Sequence, residues 1–241
     1  MEKRNRSLRR LIRDYHGKLT ASSLSYGQVK IMALTKRQTL GEEIANAISH
    51  GVAALLGIAG LVLLLIRAEN LAETLTSIIF ATGIILLYTM STLYHAFKND
   101  TAVKRLFKRF DHLSIYLLIG STYSPIYVLV LEKPLGWILL AIQWTLIVVG
   151  IVFKAIWIKK FAGVHLAMYL ILGWSGIIFL GSLYNFSIPA FYLILGGGIA
   201  YTVGVLFYAL HLFKYSHFIW HIFVLLGTLL HFFAIYLYLI G

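Results

Sequence analysis

The chain has 241 residues, 60% hydrophobic and only 12% charged, which excludes an ordinary soluble domain because such a domain needs far more polar surface to cover its core. Cysteine is absent, which excludes a disulfide framework and any thiolate metal ligand. A net charge of +12 would suggest nucleic acid in a soluble chain. Here the basic residues lie between apolar blocks, so topology and anionic lipid headgroups explain them and no nucleic-acid partner is expected.

Residues 1–40 form a basic segment with ten Lys/Arg. It is only partly amphipathic, through Leu8, Leu11, Ile12 and Tyr15, and reads as a solvated or surface-lying tail. It is too polar for a signal peptide, since the first long apolar block begins near Ile44. From residue 41 to 241 the apolar residues fall into blocks of about 20, the length a helix needs to cross the hydrocarbon core. These predict an all-α, polytopic protein of the cell membrane with seven spans, near 45–66, 75–97, 111–131, 135–154, 164–183, 188–209 and 217–239.

Glu42, Glu43 and His50 stand at the start of span 1 and could reach the layer of His95, Asp111, His217 and His221, but for the two glutamates a charge favourable to the helix dipole is explanation enough. His50, two turns on, is a candidate supporting partner for polar groups deeper in the bundle. Span 2 closes on Ser91 and His95. Span 3 opens on Asp111, with His112 expected on another face, and it contains Pro125. That proline frees the carbonyl of Ser121 and is expected to kink the helix. Lys154, Lys159 and Lys160 separate spans 4 and 5. Tyr184–Ser187 is expected as a turn before span 6, whose first turn suits Pro189. Within span 6, Gly196, Ala200 and Gly204 recur every four residues and permit close helix approach. His217 and His221 open span 7. His231 lies off their face, and His16, His165 and His211 are placed in the tail or at loop edges.

Nineteen of the 21 Lys/Arg fall on the N-terminal side of this path. The positive-inside rule then predicts a cytoplasmic N-terminus and an external C-terminus. In that orientation His95, Asp111, His217 and His221 share one depth, near the cytoplasmic interface. Ionisable groups at membrane depth are costly and need a reason. Ser91/His95 and His217/His221 are each four residues apart, on one face of a helix. Two histidines so spaced can aim at one ion, and a third from another helix completes three protein ligands. Three nitrogen ligands with an open position describe a catalytic rather than a structural zinc site, although iron, cobalt or nickel fit the same donors.

These residues resemble the hemolysin III family, the bacterial branch of the progestin and adipoQ receptor superfamily. The resemblance is carried by Glu43-Ile44-Ala45-Asn46-Ala47-Ile48-Ser49-His50-Gly51, by Ser91-Thr92-Leu93-Tyr94-His95, and by Phe110-Asp111-His112. Thr122-Tyr123-Ser124-Pro125 and His217-Phe218-Ile219-Trp220-His221 complete it. It runs from about residue 40 to the end, with Ser49 and Ser124 where the family more often has Thr. The resemblance implies a seven-helix fold with zinc held by His95, His217 and His221. It also implies that Asp111 and Ser91 hold the zinc-bound water. The fold it implies is like that of the alkaline ceramidases.

Three functions are then expected in descending order. The first is a zinc-dependent hydrolase of a lipid amide or ester, with a membrane lipid as substrate or ligand, Asp111 moving the proton and Ser91 steadying the oxyanion. The second is a non-enzymatic sensor or regulator of membrane lipid state. The third is a cytolytic pore, which ranks low because the far halves of most spans are almost wholly apolar. A transporter is not favoured, since no charged residue stands near mid-bilayer. Nothing in the sequence specifies the oligomeric state.

Overall fold

The computed structural model describes residues 38–157, 161–210 and 213–241. The basic segment, apart from its last three residues, together with Lys159, Lys160, His16 and His211, lies outside the described residues. Residues 40–241 form one compact unit. Every regular element among the described residues is helical. That is the expected outcome for apolar chain in hydrocarbon, where each backbone N–H and C=O must find its partner within the segment.

Among the described residues seven helices are long and apolar enough to cross a membrane, and the protein is a multi-pass membrane protein. Helices α1 (Leu40–Arg67) and α2 (Leu71–Ala96) make the first two spans. Helix α3 (Ala102–Pro125) continues as a π-helix over Ile126–Val130 to make the third. Helix α4 (Leu135–Ile156) is the fourth. The fifth is broken: α5 (Ala162–Gly173), a 3₁₀ turn at Ser175–Phe179, then α6 (Leu180–Phe186). Helices α7 (Ile188–Leu210) and α8 (Ser216–Tyr238) complete the set.

Two predicted boundaries need correction. Helix α3 begins nine residues before Asp111, because Thr101 caps it by accepting from the Lys104 N–H at 3.1 Å. The basic residues counted as a loop, Lys104 to Arg109, therefore ride on helical turns, and Asp111 sits about two and a half turns inside. The expected turn at Tyr184–Ser187 shrinks to Ser187 alone. The Ser187 carbonyl accepts from Phe191 N at 2.9 Å and starts α7 at once.

The spans pack mainly in chain order, α1 on α2 and α2 on α3, with α8 closing onto both α7 and α1. Close approaches set these pairings. A Cβ on Gly83 of α2 would lie 1.9 Å from Ser121 Oγ of α3. In α7 the buried small positions are Ala190, Gly197, Ala200 and Gly204. Gly196 was expected to share that role, but it faces only Leu230 at 3.6 Å, whereas a Cβ on Gly197 would strike His231 at 2.2 Å. The helical repeat of 3.6 alternates steps of three and four, so the stripe runs 197, 200, 204.

In span 3 a π segment, Ile126–Val130, follows Pro125 directly. The break in span 5 is satisfied by side chains. Tyr123 donates to the Gly173 carbonyl and accepts from Gly176 N at 3.2 Å. Gln143 Nε2 donates to Leu172 O at 3.3 Å, and Trp174 Nε1 donates to Thr202 Oγ1 at 2.9 Å. Irregular backbone at membrane depth is tolerated where protein buries it or a cavity borders it, and both conditions hold here. Gly173, Trp174 and Gly176 line a cavity of about 160 Å³ inside the bundle.

Candidate metal centre

Residues from three helices meet at one end of that cavity. Helix α2 brings Ser91 and His95 in its last turns, α3 brings Asp111, and α8 brings His217 and His221 in its first turns. One ring nitrogen each from His95, His217 and His221 lies within 4.8 Å of the other two. The ring centroids stand 5.2 Å (His95–His217), 5.1 Å (His95–His221) and 4.7 Å (His217–His221) apart. The i, i+4 spacing on α8 does what the sequence predicts, since it puts two imidazoles on one face a turn apart.

His95 and His221 are buried, 3% and 2% exposed. The Nε2 of His95 is buried without a hydrogen-bond partner, whereas its Nδ1 lies 2.7 Å from Glu43 Oε2. The Nδ1 of His221 lies 3.4 Å from Ser49 Oγ, which itself donates to the Asn46 carbonyl at 3.0 Å. An orphaned buried nitrogen is unusual in a settled interior. Here it faces two further imidazoles, so the donor set fits a divalent metal bound through nitrogen alone.

Asp111 and Ser91 are brought together. The Asp111 carboxylate interacts with both the Ser91 hydroxyl and His112. The His112 Nδ1 stands 3.3 Å from Asp111 Oδ2. His112 thus leaves the separate face expected for it. Its ring folds back onto the neighbouring carboxylate and lines the same cavity. Ser91, Asp111, His217 and His221 all line the cavity as well. The remaining wall is mainly apolar and aromatic, including Leu118, Ile119, Trp174 and Trp220.

Helix α1 contributes a buried polar face to the same region. Glu43, Asn46 and His50 recur at three- and four-residue steps and are all buried. The Glu43 side chain is not a solvated helix-dipole charge: Oε2 meets His95 and Oε1 meets Lys104 Nζ at 2.8 Å. Glu42 Oε1 accepts from the Tyr215 N–H at 2.9 Å, at the start of α8. His50 stacks on His221, with centroids 3.5 Å apart and planes 10° from parallel. The i, i+3, i+7 recurrence of Glu43, Asn46 and His50 was the signal that this face of span 1 points inward.

Two further histidines are buried, and of these only His165 was expected at a loop edge. His165 sits with Nδ1 3.2 Å from Tyr116 OH. His231 sits at the other side of the cavity with Nε2 3.0 Å from Ile194 O. Neither belongs to the triad.

A family model described as Haemolysin-III related matches residues 38–232. "Hemolysin-3" of Bacillus cereus is 40% identical over 207 residues, covering 84% of this chain and 94% of that protein. "Hemolysin-3 homolog" of Bacillus subtilis (strain 168) is 41% identical over 204 residues, covering 83% and 95%. "Monocyte to macrophage differentiation factor" of Homo sapiens is 27% identical over 208 residues, covering 84% and 87%.

Proposed function

The chain belongs to the haemolysin-III-related family, within the progestin and adipoQ receptor superfamily, and on that premise we propose that its buried histidine triad is the zinc centre of a hydrolase acting on membrane-lipid amides or esters. The observation that carries this is the meeting of the triad with a carboxylate and a hydroxyl at the head of a mostly apolar cavity. A structural metal clip needs no such neighbours, and a lipid-binding pocket needs no such donors.

His95, His217 and His221 would hold the ion. Zinc in such a site polarises a carbonyl and lowers the pKa of water to about 7. Asp111 faces the cavity beside Ser91, so it can take the proton of an attacking water and return it to the leaving nitrogen or oxygen. Ser91 can donate its hydroxyl hydrogen to the oxyanion as the carbonyl is attacked. The apolar wall suits an acyl chain, with its carbonyl set toward the polar end. The basic residues on α3, at Lys154 and at Lys214 lie at the triad's end of the bundle, so the positive-inside rule supports a site opening toward the cytoplasmic leaflet.

The test is turnover of defined lipid amides and esters by the purified protein in lipid vesicles. Wild type is expected to hydrolyse at least one class, and both His217→Ala and Asp111→Ala are expected to lose it. Undiminished hydrolysis in a metal-free His217→Ala protein rules the reading out. Zinc retained with no lipid turned over favours a regulator of membrane lipid state. The relatives' printed names favour one further reading, a cytolytic pore, and dye leakage from vesicles carrying the purified protein is the outcome that reading requires.

A further inference from the structure

We propose that Glu43 is the positioning residue of this centre: its carboxylate fixes the His95 ring with Nε2 toward His217 and His221, and Lys104 anchors the carboxylate. The inference rests on the metal reading of the triad and adds the element that prepares it, α1.

The argument starts from donors and acceptors. A neutral imidazole carries one N–H and one bare nitrogen, and an ionised carboxylate can only accept. With Glu43 Oε2 at 2.7 Å, the proton of His95 belongs on Nδ1, which leaves Nε2 bare. That nitrogen is buried and has no partner, and one nitrogen of the His95 ring lies within 4.8 Å of one nitrogen each of His217 and His221. Ring rotation would bring a C–H edge to the triad, and the contact with Glu43 opposes it.

Glu43 needs its own restraint, because a buried charge left unpaired is costly. Lys104 supplies it at 2.8 Å, with only 8% of its side chain and 11% of that of Glu43 exposed. Lys104 also lies over the Tyr94 ring at 4.9 Å. One carboxylate therefore ties α1 to the ligand-bearing end of α2 and to the early turns of α3. Lys104 and Asp111 are seven residues apart, on one face of α3. The same contact thus holds the face that carries Asp111.

The experiment measures zinc affinity of the purified full-length protein by competition with a chromogenic chelator, alongside the unfolding temperature of the metal-free protein. Glu43→Ala is expected to weaken zinc binding by about 10–100-fold. Glu43→Gln keeps a carbonyl acceptor for the Nδ1–H and is expected to recover most of that loss. Lys104→Met, which leaves the carboxylate in place, is expected to fall between them. Should Glu43→Ala fail to fold, the Gln and Met variants still decide the matter. Wild-type affinity in Glu43→Ala overturns the proposal and leaves the triad intact. Equal losses in the Ala and Gln variants, with parallel losses of metal-free stability, reduce Glu43 to a structural brace and also overturn it. Absence of stoichiometric zinc in the wild type removes the metal reading, and the positioning role with it.

Discussion

Glu42 and Glu43 are neighbours in the first turn of α1, and a helix dipole favours both equally. Their contacts differ because successive side chains on a helix point about 100° apart. Glu42 reaches the start of α8, and Glu43 turns into the bundle toward His95 and Lys104. The triad was legible because two of its members are four residues apart and the third ends a span. Glu43 was not, because its partners lie 52 and 61 residues away and pattern alone carries no such pairing. The roles of Asp111 and His217 separate at this scale. On the proposed hydrolase reading, Asp111→Asn keeps all three imidazoles but loses the proton acceptor. Metal content should stay near wild type while turnover falls at least about 100-fold. Metal analysis and initial rates on one preparation check it, and equal loss of both would place Asp111 among the ligands.

Among the elements, the seven spans could be read from apolar blocks, and of their interruptions only the one at Pro125 was marked beforehand. Lys104, Arg105, Lys108 and Arg109 lower the hydropathy at the head of α3 enough to suggest a loop, yet Thr101 caps a helix there. The break in span 5 is marked in sequence only by Gly173 and Gly176. It is stabilised by Tyr123, Gln143 and Thr202 from three other helices. The α7–α8 crossing gives a sharper prediction. A methyl group on Gly197 would meet the His231 ring at 2.2 Å and the Gly227 carbonyl at 3.0 Å. Gly197→Ala should therefore destabilise the bundle by about 1–3 kcal/mol, the usual cost of overpacking. Gly181, in α6, has nothing within 4 Å of an added Cβ. Gly181→Ala should be neutral or stabilise by up to about 1 kcal/mol, since alanine is the better helix former. Thermal unfolding in detergent compares the two, and similar midpoints would remove the close α7–α8 approach as a determinant of stability.

For the whole molecule, the membrane acts as solvent and sorts side chains by depth. Large apolar residues such as Leu55, Ile66 and Ile178 are outward and exposed. The interior collects Tyr88, Asn46, His50 and His221, whose polar atoms would be costly in lipid. Concentrating the basic residues at the triad's end predicts that this end faces the cytoplasm. Because the chain has no cysteine, single introduced thiols report without background. In intact cells Asn99→Cys, between α2 and α3, should resist a membrane-impermeant maleimide, and Lys133→Cys, between α3 and α4, should react. The reverse pattern would invert the molecule.

Metal content of the purified protein bears most directly on the triad as a site. Elemental analysis should find about one zinc per chain in the wild type, retained in Asp111→Ala and lost in His217→Ala, with helical content unchanged in all three. A His217→Ala protein that keeps its full complement of metal, or a wild type that is well folded and holds none after exposure to zinc, would contradict it.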